Sequence, residues 1–272
     1  MPMRRLLHTI YEYLAMWFGL GMLGCLCLLW SPFSWVLYRL QPQSAGGRLG
    51  RYMNMRWFRF YLWTLAASGA CRFDIRGLDA LRDQPPVIIA PNHPSLLDAV
   101  MVISRLPNIV CIMKTELMNN LFLRSGARLA RYIGNASMLD MIRSSADALR
   151  QGNHLLLFPE GTRTVREPVN EFTNAVGLIA RRAGVPVQTV FIESDSRYLG
   201  KGWPLFKRPA MPITYRIRLG RRFDPPQDVR AFTAEMEQYF AGELAAATLA
   251  HETSPKPARP QQGTAPNLAN RT

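Results

Sequence analysis

The stretch Val87-Ile88-Ile89-Ala90-Pro91-Asn92-His93-Pro94-Ser95-Leu96-Leu97-Asp98 decides how the rest of the chain is read. It opens with an unbroken apolar run, as a strand buried on both faces presents, and Pro91 and Pro94 then bracket a turn. From Ser95 the apolar spacing becomes helical over 95–106. The same strand-to-helix grammar recurs outward from there. Short apolar runs predict strands at 73–76, 87–90, 109–113, 155–158, 187–192 and 213–219. Amphipathic spacing predicts helices at 95–106, 117–130, 139–150, 171–183 and 228–249. In the last strand Ile213, Tyr215, Ile217 and Leu219 alternate with Thr214, Arg216 and Arg218, giving one apolar and one polar face. Strands alternating with helices define an α/β fold: a central, largely parallel mixed sheet flanked by helices.

His93 falls in the turn after a strand, and Asp98 in the first turns of the following helix, able to reach back to it. The carboxyl ends of strands are where α/β folds hold their ligands and reactive groups. A carboxylate that accepts a proton from one imidazole nitrogen fixes the tautomer and leaves the other nitrogen as a general base. The same residues carry a second reading, because Ser95-x-x-Asp98 is also a capping box, which needs no chemistry. A second constellation, Phe158-Pro159-Glu160-Gly161-Thr162-Arg163-Thr164, ends another apolar strand. Gly161 lets the backbone turn tightly. Arg163 offers a planar fork for an anion, and Glu160 can orient that fork or a substrate hydroxyl. The plain alternative is a strand-end turn with a surface ion pair.

The 272 residues are 48% apolar and carry 33 Lys and Arg against 19 Asp and Glu, a net charge of +14. So basic a chain seeks polyanions, either nucleic acid or an anionic membrane. Cys25, Cys27, Cys71 and Cys111 are too few for a disulfide scaffold and read as reduced and structural. The basic excess is densest near the N-terminus, where residues 1–73 hold eight arginines and one acid, Glu12. From Tyr13 to Tyr38 there is no charged residue over 26 positions, and crossing a bilayer takes ~20. Trp17, Trp30, Trp35 and Tyr38 suit a membrane interface. The run is too long for the apolar part of a cleaved signal peptide, and no small-x-small site follows it closely. Pro32 is expected to end or kink its helix.

Arg39, Arg48, Arg51, Arg56 and Arg59 then lead into a shorter apolar stretch, 60–67. Two arrangements fit. The run spans the bilayer with its C-terminal side cytoplasmic, or it pairs with the second stretch as antiparallel helices sunk into one leaflet, the arginines on anionic headgroups. With no zinc-finger, P-loop or RNA-binding aromatic signature, the charge is assigned to a membrane and not to nucleic acid. The expected organisation is a membrane anchor over 1–70, a catalytic domain over 71–250, and a proline-rich disordered tail over 251–272.

Together, Asn92-His93-x-Ser95-x-x-Asp98 and Phe158-Pro159-Glu160-Gly161-Thr162-Arg163 resemble the glycerolipid acyltransferase family, which includes the lysophosphatidate acyltransferases. The likeness runs from Ile75 to Leu219, with Lys114-x-Glu116-Leu117 and Val185-Pro186-Val187 as further matches. It implies transfer of a fatty acyl group from an acyl-CoA or acyl-carrier-protein thioester to a lipid hydroxyl. No cofactor or metal is implied beyond that donor, membrane lipids are the other partners, and the setting is the cytoplasmic face of a bacterial-type inner membrane. By the same resemblance His93 is the catalytic histidine and Asp98 its partner. Glu160, Gly161, Thr162 and Arg163 form the acceptor motif, with Asn92 and Ser95 as further substrate contacts.

Departures from the family pattern bear on the acceptor. Lysophosphatidate acyltransferases carry an arginine a few residues after the glycine matched by Gly134, whereas this segment reads Gly134-Asn135-Ala136-Ser137-Met138-Leu139-Asp140. The lysine that follows a phenylalanine after the second motif is Thr173, and the second proline after Val185-Pro186-Val187 is Thr189. Asn92-His93-Pro94-Ser95-Leu96-Leu97-Asp98 and Lys201-Gly202-Trp203 also resemble the acyltransferases found with bacterial aryl-polyene biosynthesis. The implied chemistry is direct transfer, with backbone N–H groups near Ser95 holding the oxyanion. A covalent route through Ser95, a thioesterase using water, and a non-catalytic lipid binder are the rivals.

Overall fold

Strands that are apolar on both sides need a helical layer on each face. The computed structural model of the chain, which describes residues 2–204 and 206–253, supplies both layers. The strands are β1 (Cys71–Asp74), β2 (Ile88–Pro91), β3 (Ile109–Met113), β4 (Ile133–Gly134), β5 (His154–Leu156), β6 (Val187–Ser194) and β7 (Ile213–Phe223). They form one sheet in the order β1-β7-β6-β2-β5-β3-β4, parallel throughout except between β6 and β7. Two long N-terminal helices, α1 (Pro2–Leu40) and α2 (Gln43–Ala67), precede it. Between and after the strands come α3 (Asp98–Ile103), α4 (Thr115–Met118), α5 (Arg124–Leu129), α6 (Met138–Arg150), α7 (Ala175–Ala183) and α8 (Val229–Thr253).

Side chains alternate across the sheet, as the two-residue period requires. Ile89, Cys111 and Leu156 join the core shared with α2 and α3, while Ile88, Val110 and Leu155 join the one shared with α6, α7 and α8. Connections leave the central strands in opposite directions. The chain leaving β2 crosses to β3 through α3 on one face, and the chain leaving β5 crosses to β6 through α7 on the other. A crevice opens where such connections part, beyond the strand ends. Register then does the rest. Ile89 lies opposite Leu156, so the residues four positions further along each chain, His93 and Glu160, emerge side by side. The His93 N–H donates to Glu160 Oε1 at 2.9 Å.

Several elements differ from their expected bounds. The expected helix 117–130 is two short helices, α4 and α5, because the Asn120 side chain accepts the Phe122 N–H and turns the chain between them. The expected helix 95–106 starts late, at Asp98, since Leu96 N–H and Ser95 Oγ are bonded to the carbonyls of Leu199 and Tyr198. Strand β4 was too short and too glycine-rich to show a period. Helix α8 continues through Thr253, into the segment expected as a tail; the remainder of that tail, from Ser254 with Pro255, Pro257, Pro260 and Pro266, lies outside the described residues.

Pro32 does not end α1, which runs through it to Leu40. Beside Pro32 the Trp30 ring of α1 meets Trp57 of α2, centroids 6.2 Å apart, and Pro32 shares a cavity with Leu49 and Met53 of α2. The two helices form an antiparallel hairpin laid along the body. Tyr11 donates to the Ser68 carbonyl, Glu12 accepts the Met211 N–H and pairs with Arg208, and Ser31 donates to Ser125. Helix α1 nevertheless keeps an outer stripe of exposed Leu7, Ile10, Leu14, Phe18, Leu29 and Phe33. Only 17% of its most apolar window is buried. Two of the arginines expected on headgroups turn inward instead: Arg51 donates to Asn108 and the Ala130 carbonyl, and Arg59 to the Ser104 carbonyl.

Candidate active site

Asp98 is wholly buried in the first turn of α3, a place a carboxylate takes only with donors at hand. Its Oδ2 accepts the Ser95 N–H at 2.7 Å and lies 2.8 Å from His93 Nδ1. The first bond ties the turn before α3 and the second joins acid to imidazole; no capping box forms, because the helix begins only at Asp98 with Leu97 at its N-cap. Oδ1 has no partner among the described residues. Burial pushes the Asp98 carboxyl above its ordinary range, against the hydrogen bond and charge of His93 and the Ser95 N–H; the charge of Glu160 adds to the rise. The His93 ring stacks on Phe158, centroids 3.9 Å apart and planes 21° from parallel, and its side chain is 16% exposed. With Nδ1 held by Asp98, Nε2 is the nitrogen left to exchange a proton.

The second motif wraps the first. Gly161 adopts φ +63° at the turn, the left-handed region where only glycine is unstrained. Glu160 is buried, and its oxygens accept from the His93 N–H, the Thr164 hydroxyl and the Asn170 N–H. Thr164 N–H returns a bond to the His93 carbonyl at 2.7 Å. Glu160 thus clamps the His93 turn to its own loop and does not pair with Arg163; the surface ion pair of this loop is instead Glu167 with Arg197.

Asn92 is also committed to the scaffold. Its side-chain amide donates to the Ile192 carbonyl and accepts the Ile192 N–H, prolonging the pairing of β2 with β6 by one side-chain rung. Ser95 is buried with its hydroxyl between the Tyr198 carbonyl and the Leu97 N–H. The N–H groups of Ser95, Leu96 and Leu97 all have internal acceptors, so the oxyanion donors expected there are engaged elsewhere. Of the expected site residues, His93, Gly161, Thr162 and Arg163 line one cavity, whereas Asn92, Ser95, Asp98 and Glu160 support it from behind.

That cavity measures about 1220 Å³. Its apolar walls include Leu26 and Trp30 of α1 with Phe58 and Tyr61 of α2, so the N-terminal hairpin and the sheet enclose one space. Its cations are Lys114, Arg163 and Lys201. Thr173, Asn135 and Ala136, where the resemblance leads one to expect basic residues, face the same cavity. Arg163 Nη1 donates to the carbonyls of Leu199 and Gly200 at 2.8 and 2.9 Å, which fixes the loop carrying Lys201. Leu199 holds φ +59°, an unusual conformation for a non-glycine residue, and Gly202 holds φ +82°. Lys114 and Lys201 line the cavity too, although the sequence placed them only in supporting matches and assigned them no role.

A buried acid behind a histidine at the crossover of a parallel sheet thus opens on a largely apolar cavity of an α/β fold. Residues 72–193 match the family model described as Acyltransferase. The matched segment carries both motifs and marks the chain as an acyltransferase. It is 22% identical over 223 residues to 1-acyl-sn-glycerol-3-phosphate acyltransferase of Pseudomonas aeruginosa, covering 80% of this chain and 83% of that one. Over 183 residues it is 28% identical to lyso-ornithine lipid O-acyltransferase of the same organism, covering 63% and 65%. Its fold matches the crystal structure of the 1-acyl-sn-glycerophosphate acyltransferase PlsC from Thermotoga maritima, with TM-score 0.59 and 19% identity over 95% of this chain and 99% of that one.

Proposed function

We propose that the chain is a membrane-anchored glycerolipid O-acyltransferase that moves a fatty acyl group from an acyl-CoA or acyl-carrier-protein thioester to a lysophosphatidate-like acceptor. The observation that carries this reading is the His93–Asp98 pair on an apolar cavity that also receives Lys114, Arg163 and Lys201 and is walled by α1 and α2. His93 Nε2 takes the proton of the acceptor hydroxyl as its oxygen attacks the thioester carbonyl, and Asp98 stabilises the imidazolium that forms. The tetrahedral intermediate collapses with loss of the thiolate, which receives the proton from His93. Groups of Thr162 and Arg163, which line the cavity with His93, stabilise the oxyanion. Arg163, Lys201 and Lys114 hold the anionic headgroup, two lysines standing in for the cations absent at Ala136 and Thr173.

The N-terminal hairpin, residues 1–70, sits in one leaflet with the outer stripe of α1 among the acyl chains. Its contacts at both Tyr11 and Ser31 tie α1 along the domain, which a helix crossing the bilayer alone would not allow. The domain faces the cytoplasm, where thioester donors are made. The test is mass spectrometry of the products formed from acyl-CoA and acyl-carrier protein with lysophosphatidate, a zwitterionic lysophospholipid and a lyso-ornithine lipid. Acylated lysophosphatidate, lost in His93→Ala, is the expected result. Free fatty acid alone would identify a thioesterase, no turnover with any donor a lipid binder, and preference for the lyso-ornithine lipid a different acceptor class.

A further inference from the structure

Outside the hairpin, five of the nine exposed large apolar side chains among the described residues fall in two neighbouring segments, Leu96, Val165, Phe206 and Leu249 being the others. Leu117 at the end of α4, Leu121 and Phe122 in the turn after it, and Met138 and Leu139 at the start of α6 all project from the body. Leu121 and Leu139 are 70% and 68% exposed. A soluble surface has no use for such a ridge, and it is not scattered. Leu117, Phe122 and Met138 also line the cavity, so the ridge is the cavity's rim.

We infer that this ridge is a second membrane contact, inserting beside α1 into the same leaflet so that the cavity mouth opens among lipid chains. Continuity with α1 argues for a bilayer as the occupant. Phe122 lies beside Gly24, where an added Cβ would be 3.7 Å from its ring, and Leu28 and Leu29 of α1 continue the exposed apolar surface past that contact. Exposed Arg124, Arg128 and Arg143 flank the ridge, set to meet anionic headgroups while the leucines enter the acyl region. Asn119 and Asn120 break the helix at the ridge and present Leu121 at the tip of a turn rather than against the sheet. The acceptor then enters laterally from the leaflet, without its acyl chain crossing water.

The inference rests on the hairpin being the anchor, and its test separates the two. Full-length protein carrying Leu121→Glu and Leu139→Glu, both exposed positions, is assayed with oleoyl lysophosphatidate in phosphatidylethanolamine–phosphatidylglycerol vesicles and with monomeric hexanoyl lysophosphatidate. kcat/KM should fall by about tenfold or more on vesicles and by less than about twofold on the monomeric acceptor. Equal change with both acceptors, or no loss on vesicles, overturns the inference. Loss seen only with acyl-carrier protein as donor, whatever the acceptor, also overturns it and makes the ridge a protein-docking site. Independently of turnover, Leu121→Trp should show extra fluorescence quenching by brominated lipids relative to the parent chain. Parent-like quenching overturns the inference even if the enzyme proves to act on another acceptor.

Discussion

Asp98→Asn removes one charge and almost nothing else, which makes it the sharpest probe of the site. Unit charges at the observed 2.8 Å between Asp98 Oδ2 and His93 Nδ1 attract by roughly 6 kcal/mol at an effective dielectric of ~20. At ~1.4 kcal/mol per decade, that is at most about four decades of rate if the whole charge develops in the transition state. Part of it does, so kcat should fall by roughly 10²–10⁴. Stability moves differently. With its oxygen at the Oδ2 position, asparagine keeps the bonds to Ser95 and His93, but its NH₂ enters the place of Oδ1, which has no partner among the described residues. That orphaned donor costs ~1–3 kcal/mol, offset by no longer burying an ionised group whose pKa burial already raises. Tm should therefore shift by less than about 10 °C. Thioester consumption and lipid product are measured beside circular dichroism. A folded variant within about tenfold of wild-type kcat would refute the electrostatic argument. Activity lost in step with the melting transition would make the Ser95 bond, which holds the turn before α3, the main role of Asp98.

Gly161→Ala should lower stability by ~1–2 kcal/mol and reduce kcat/KM, because φ is +63° while the added methyl meets only Thr173 Cγ2, at 3.7 Å; an unchanged Tm in denaturation would show the turn can relax. Lys201→Ala should lower kcat/KM for lysophosphatidate by roughly 10–100-fold and spare a zwitterionic acceptor, one charge-assisted bond being ~1.5–3 kcal/mol. Equal loss on both acceptors would mean that Lys201 shapes the loop and does not read the headgroup. His154, whose Nδ1 accepts the Val87 N–H at 3.3 Å, is held below its ordinary pKa near 6.5, first by burial and against backbone bonds at Leu81 and Arg82. The unfolded chain then takes up a proton there that the folded one resists, so stability should be flat above about pH 6.5 and fall as pH drops below it. Urea midpoints from about pH 8 to 5 should show that decline, and His154→Gln should flatten it.

Local chemistry was legible before any tertiary structure. The runs at Val87 and Leu155 are apolar at every position because both faces of a central parallel strand are covered, and that alone called for an α/β sheet. His93 with Asp98 was legible for a similar reason, since five residues across a strand-to-helix turn keep the two side chains within reach. The charge-free run of α1 likewise follows from composition. Roles that depend on partners far along the chain were not legible. Glu160 and Asn92 read as substrate contacts, but their partners, His93 and Ile192, are chosen by strand register, and a register is a property of two strands at once. Arg51 and Arg59 read as headgroup ligands until the docking of α2 brought carbonyl acceptors to them. Lys201 enters the site because Arg163 grips the backbone of Leu199 and Gly200, a contact between residues more than thirty positions apart that no local pattern announces. The sequence determined most of the sheet and which side chains can do acid–base chemistry, because those depend on neighbours a few bonds away; only the tertiary structure decided β4, the split of 117–130 and which groups face the cavity, because those depend on how the sheet and the N-terminal hairpin pack around it.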